Sequence, residues 1–154
     1  MAAYYVDTSA LVKRYVLETG TAWILNLTDL ASAHDLYMVQ ITGPEVIAAL
    51  FRRVRTGTLS LIDAKRVASN FRDDWQHQYL LVEIASNVVE RAMALAETHG
   101  LRGYDAVHLA AALEVNAARV ARLLPPLVFI SADNDQFLAA SAEGLHVENP
   151  NSYP

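Results

Sequence analysis

Two hydrophobic periods alternate along this chain. Short apolar runs of strand length fall at Ala3–Val6, Leu36–Ile41, Tyr79–Ile84, Leu127–Ser131 and Leu145–Val147. Between them apolar residues recur every three or four positions, which is the spacing of one helix face. Thr8 and Ser9 offer N-caps for a helix to about Leu17, and Thr21 for one through Trp23, Ile24, Leu27 and Leu30 that fades near Ser32–Asp35. Pro44 suits the first position of a helix from Glu45 to Arg55, and Gly57 is a good stop after it. Ser60 and Asp63 form a capping-box-like start to a helix reaching about His77. Ser86 caps a helix ended by His99-Gly100, and a regular Ala- and Leu-rich helix runs from near Asp105 to about Leu124, where Pro125-Pro126 stops it. A short helix over Asn134–Glu143 ends at Gly144, and the tail Asn149–Pro154 reads as irregular. Strands alternating with helices predict an α/β domain: a five-stranded, mainly parallel sheet with helices on both faces.

Composition narrows the class. Apolar residues make up 53% of 154 and charged residues 19%, the balance of one globular domain. No apolar run approaches the ~20 residues needed to span a bilayer. No basic segment precedes the first apolar run, so a signal peptide is not expected. The absence of cysteine excludes disulfides and thiolate metal sites and fits a cytoplasmic location. A net charge of −5 argues against a protein that coats nucleic acid. The charge is uneven: residues 1–77 carry eight basic and eight acidic side chains, residues 78–154 four and nine. Attraction for a nucleic acid must therefore come from the N-terminal half or from a metal.

Four acids sit where a strand or loop hands over to a helix: Asp7, Glu45, Asp105 and Asp133. Any one of them can be explained by the helix dipole, worth ~0.3–1 kcal/mol. Their joint placement is harder to explain that way. If the first and fourth strands are neighbours, Asp7 and Asp133 emerge side by side at the carboxyl edge of the sheet, where open α/β folds bind ligands. Unit charges ~4 Å apart repel by about 4 kcal/mol at an effective dielectric of 20, so clustered carboxylates must protonate or hold a cation. Oxygen donors without Cys or a His cluster favour Mg²⁺ or Mn²⁺ over zinc.

The motifs VDTSALVKRY (Val6–Tyr15), PEVIAAL (Pro44–Leu50), LRGYDAVHLAAAL (Leu101–Leu113) and ISADNDQFLAASAEGL (Ile130–Leu145) together resemble the PIN-domain ribonucleases of the VapC type, toxins of bacterial toxin–antitoxin modules. The likeness covers nearly the whole chain, as a PIN-like nuclease domain over residues 1–148 followed by the tail 149–154. It implies a metal-dependent endoribonuclease that hydrolyses RNA by a metal-activated water. Asp7, Glu45, Asp105 and Asp133 would hold Mg²⁺ or Mn²⁺, with Ser9 and Ser131 in support. It also implies a cognate antitoxin and a homodimer. Asp135 lies two residues beyond Asp133 and is the other acid within reach of the metal, although alignment of the following Ala-Ala-x-x-x-Gly-Leu-like segment favours Asp133. Gln136 stands where the family usually has an apolar residue.

His108, one turn beyond Asp105, reads as a helix residue bonded to a neighbour rather than as a general base, and His34, His77, His99 and His146 read as surface positions. Lys13 and Arg14 can flank a cleft at Asp7. For Arg52, with Arg53 and Arg55, a grip on RNA phosphates and a solvated face that complements the helix dipole stand equal. Arg102 can meet substrate or pair with an acid. Ala110–Ala112, Ala117 and Ala118 suit core or dimer packing. Two other functions stay open. One is an aspartate-based phosphatase or phosphotransferase with Asp7 as nucleophile, weakened because Ser9 stands where a second Asp is wanted. The other is a non-catalytic α/β module whose acids merely cap helices.

Overall fold

The computed structural model describes all residues, Met1–Pro154. Five strands, β1 (Ala3–Val6), β2 (Asp35–Val39), β3 (Leu80–Val82), β4 (Val128–Ile130) and β5 (His146–Glu148), form one sheet in the order β3-β2-β1-β4-β5. Every pairing is parallel, with Tyr5 opposite Tyr37 on one side and Phe129 on the other. Seven helices connect and cover the strands: α1 (Thr8–Tyr15), α2 (Thr21–Leu27), α3 (Thr42–Arg55), α4 (Leu61–His77), α5 (Ser86–His99), α6 (Gly103–Ala121) and α7 (Asn134–Ala142).

The sheet is buried on both faces because β1 is apolar on both. Tyr5 packs with Phe129 and the α5–α6 layer, including Leu109 and Ala110–Ala112, all fully buried. Val6 packs on the other face with Leu11, Ile24, Leu50 and Phe71 from α1 to α4. The alanines of α6 therefore divide: Ala110–Ala112 let the helix approach the sheet closely, whereas Ala117 and Ala118 are exposed.

Several expected helix ends move, and the cause is local each time. Asp7, not Thr8 or Ser9, caps α1, accepting from Ala10 N–H, and the helix stops at Tyr15 rather than Leu17. Gly20, at φ +88°, precedes α2, and Thr21 instead takes Glu18 N–H on its hydroxyl. A methyl group on Gly20 would overlap the carbonyl of Pro150. Helix α3 begins at Thr42, which makes Pro44 its third residue, still within the turn whose N–H groups lack helical partners. Ala85 rather than Ser86 flanks α5, and α6 opens at Gly103 and ends at Ala121. Ser60 does cap α4 through Asp63 N–H, but the Asp63 carboxylate takes the Ser60 hydroxyl, so the reciprocal half of the box is absent. The tail is not irregular: Pro150–Ser152 form a 3-10 turn, Pro150 is buried, and Tyr153 stacks on Trp23 at 4.7 Å.

Candidate functional site

All four junction acids lie at the carboxyl ends of strands or at the helix starts beside them. Asp7 follows β1 directly, and Asp133 follows β4, its neighbour in the sheet. Two serine hydroxyls tie these segments together. Ser9 Oγ donates to Asp7 Oδ1 at 2.6 Å and accepts Ala132 N–H at 2.9 Å. Ser131 Oγ donates to Asp7 Oδ2 at 2.5 Å and accepts Asp133 N–H at 3.1 Å. The loop carrying Asp133 is thus hung on the Asp7 carboxylate. Asp7 is 4% exposed, and burial raises its pKa despite the opposing effects of His108, the two serines and Ala10 N–H.

Glu45 is governed by a chain of hydrogen bonds that starts in the core. Val39 N–H donates to Tyr5 Oη at 3.2 Å, which frees the Tyr5 hydroxyl proton for His108 Nδ1 at 2.9 Å. The remaining imidazole proton then belongs on Nε2, 2.6 Å from Glu45 Oε1. Thr8 Oγ1 donates to the same oxygen at 2.8 Å. Burial opposes ionisation of Glu45, but the hydrogen bond and electrostatic attraction of His108, with the hydrogen bond of Thr8, outweigh it and leave the pKa lowered. His108 is therefore bonded to a neighbour, as its helix setting suggested, and that neighbour is one of the four acids.

Asp105 lies in the first turn of α6 and Asp133 caps α7, accepting Gln136 N–H at 3.1 Å. Burial and then the charge of Asp133 raise the pKa of Asp105, with Glu45 adding to the rise and His108 and Arg102 opposing it. Gln136 is fully buried and donates through Nε2 to the Asp105 carbonyl at 2.9 Å, fastening α7 to the start of α6. A polar residue at this usually apolar position thus aligns two of the acids. Asp135 lies in the first turn of α7 and, with Arg102, Asp105 and Leu138, lines a hollow of ≈ 490 Å³.

No group of three or more His, Asp or Glu side chains is close enough to form a ready-made metal site. The donor chemistry nevertheless suits a hard divalent cation. The side chains are carboxylates and hydroxyls, and burial together with like charge disfavours ionisation of Asp105, a cost a cation would relieve. Asp7 Oδ2 accepts only from Ser131, so a lone pair remains for a ligand. Being held in place by three donors, Asp7 suits a fixed ligand better than a nucleophile.

The expected cations separate. Lys13 is buried with its ammonium 3.1 Å from Glu18. Arg14 does not flank the cleft: it donates to Gln78 and Tyr79, each at 2.7 Å, and pairs with Asp74, because the last turn of α1 points it into α4 and β3. Arg52 is exposed beside Thr8 and Ser9, and Arg102 lies beside Asp105. Among the other histidines, His99 is not a free surface group, being paired with Glu143 at 3.1 Å, and His34 accepts Ala2 N–H. Sequence reasoning missed the roles of Tyr5, Thr8 and Glu18. Only Thr8 carries a signal, a hydroxyl adjacent to a junction acid, and that position reads equally well as a helix cap.

Known proteins resemble this chain in sequence and in fold. Residues 4–143 match the PIN domain family model. The chain is 35% identical over 153 residues to Ribonuclease VapC45 and to Ribonuclease VapC49, from two strains of Mycobacterium tuberculosis, covering 96% of this chain and 95% of each relative. Its fold matches a toxin-antitoxin complex from Klebsiella pneumoniae with a TM-score of 0.61, at 18% identity, over 96% of this chain and 97% of that one. A sheet of this order, carrying these acids at its carboxyl edge in a chain this similar to VapC proteins, makes the protein a member of the PIN-domain family, of the VapC type.

Proposed function

We propose that this protein is an endoribonuclease, the toxin of a toxin–antitoxin pair, and that Asp7, Glu45, Asp105 and Asp133 hold Mg²⁺ or Mn²⁺ for RNA hydrolysis. The observation that carries the reading is the gathering of the four acids around one strand edge, with the charge of Asp133 raising Asp105. A divalent ion there supplies a nucleophilic water at neutral pH and neutralises charge that builds on the phosphate. The chain's own residues supply position and protonation state. Ser9, Ser131 and Ala10 N–H fix both oxygens of Asp7. His108 and Thr8 keep Glu45 ionised and aimed. Asp133 is favoured over Asp135 as the fourth acid because it is the one whose charge acts on Asp105 and whose backbone is bonded to Ser131. The similarity to VapC ribonucleases and to a toxin-antitoxin complex supports a nuclease with an antitoxin partner. A homodimer acting in the cytoplasm completes the proposal.

The test is incubation of the purified protein with total RNA, with and without Mn²⁺ or Mg²⁺, and mapping of the new RNA ends. Discrete ends that require the ion are expected. Intact RNA in the presence of either ion, from a protein shown to be folded, would overturn the reading.

A further inference from the structure

Beside the acids lies a second hollow of ≈ 440 Å³, walled by Thr8, Ser9, Glu18, Arg52 and Arg53. Its inner wall is the pair of hydroxyl residues that hold the catalytic carboxylates: Thr8 donates to Glu45 and Ser9 to Asp7. A group bound in this hollow is therefore next to the reacting centre.

Its charge is unlike that of the rest of the molecule. The chain carries a net −5, yet this hollow is lined by two arginines, Arg52 and Arg53, and a single acid, Glu18. That carboxylate is shared. One oxygen takes the buried Lys13 ammonium at 3.1 Å and the other pairs with Arg53. Glu18 is itself held in the α1–α2 connection, its N–H on Thr21 Oγ1 at 2.9 Å. Arg52 is exposed, lines the same hollow and has no ion-pair partner. The hollow thus offers one free guanidinium and a second held by a half-exposed carboxylate that already has another cation. Guanidinium forks fit phosphate oxygens in bidentate fashion, and a phosphate bound there would compete directly with Glu18 for Arg53.

We propose that Arg52 and Arg53 form the subsite for a backbone phosphate adjoining the scissile one in single-stranded RNA, and that Glu18 is its built-in competitor, occupying Arg53 until RNA displaces it. The proposal rests on the ribonuclease reading and adds to it where the substrate lies and what sets its affinity. The acid edge by itself repels phosphates, so the strand flanking the scissile one must be gripped beside it, and this hollow, whose two lining arginines outnumber its one acid, can do so. Lys13 does not touch RNA in this scheme; it keeps Glu18 in place, so displacement frees Arg53 without expelling the carboxylate.

The experiment is fluorescence anisotropy of a labelled single-stranded RNA 12-mer of mixed sequence, in EDTA so that nothing is cut, titrated at several salt concentrations. Each phosphate contact on a single strand contributes about −0.7 to the slope of log K against log salt, or about fivefold in affinity near 0.1 M salt. Arg52→Gln is expected to flatten the slope by about 0.7 and weaken binding about fivefold, and Arg53→Gln to do the same. Glu18→Gln is expected to tighten binding and lower KM. Thermal melts confirm folding; if Arg53→Gln fails to fold, the exposed Arg52→Gln and Glu18→Gln still decide. Unchanged slopes in a wild type that binds and cuts RNA would overturn the subsite alone, whereas a wild type that neither binds nor cuts RNA would overturn the function beneath it. RNA binding indifferent to both arginines, with oligoglutamate binding through them, would reassign the hollow to an acidic protein segment.

Discussion

The two ends of helix α1 both bury charged and hydroxyl groups, and they do so in opposite ways. At its last turn Arg14 and Tyr15 meet Asp74, Gln78 and Tyr79: Arg14 donates to Gln78 and Tyr79, Tyr15 donates to Asp74, the two tyrosine hydroxyls touch, and Gln78 reaches the Thr28 carbonyl at 2.6 Å. One cation matches one anion, and burial holds Tyr79 protonated with a pKa near about 12 and pushes Tyr15 higher still. At its first turn Asp7 joins Glu45, Asp105 and Asp133 against His108 and Arg102, and two of those acids have raised pKa values. A balanced network holds a fold together and needs nothing further. A network with surplus charge of one sign is stabilised by a ligand of the other sign. That difference separates a structural polar cluster from a candidate site when both are partly buried and rich in hydrogen bonds.

The contrast is broken most severely at Asp7. Asp7→Asn keeps an N-cap side chain for α1 while removing the charge, so RNA cleavage should fall by orders of magnitude with the fold intact, as single-turnover assays and circular dichroism would read. Asp133→Ala should produce a comparable fall, whereas Asp135→Ala should leave most of the activity, since Asp135 serves the first turn of α7 without a bond to the Asp7 cluster. A larger defect from Asp135→Ala would exchange their roles.

Adding Mn²⁺ or Mg²⁺ should act only at the surplus end. An ion binding the folded state alone stabilises it by about 2.7 kcal/mol at one hundred times its Kd, visible as a rise in melting temperature that Asp7→Asn abolishes. Asp74→Ala tests the balanced end. It takes the anion from Arg14 and the carboxylate acceptor from the Tyr15 hydroxyl, which should cost about 1–3 kcal/mol of stability by urea unfolding while activity per folded molecule stays unchanged.

The smallest effect concerns pH in the metal-free protein. A carboxyl group with a raised folded-state pKa favours folding below its ordinary pKa and loses that contribution as pH rises through the folded value. Burial raises Asp7 in this way, so Asp7→Asn should gain on wild type as pH climbs from the ordinary carboxylate range to neutrality, and the two melting temperatures should converge on acidification. Glu45, lowered by His108 and Thr8, loses stabilisation as pH falls, but it does so in both proteins and cancels from the difference. A gap that widened in acid would refute the burial of an ionisable Asp7.

Much of this molecule was readable from its residues. The alternation of strand and helix periods determined the α/β class and the count of strands, because each element's burial pattern is written in consecutive residues. The junction positions of Asp7, Glu45, Asp105 and Asp133 determined which side chains stand at strand and helix ends. What the sequence alone could not determine is which groups meet. That Tyr5, one hundred and three positions from His108, passes a hydrogen bond through it to Glu45 depends on β1 lying beneath α6. That Arg14 is consumed by Asp74 and Gln78 while Arg52 stays free depends on how α4 and β3 pack against α1. Glu18 between Lys13 and Arg53 follows from the docking of a short loop on α3. Periodicity records whether a residue faces inward, since that depends on neighbours three or four places away; the partner it finds there is supplied by distant chain, and only tertiary packing chooses it.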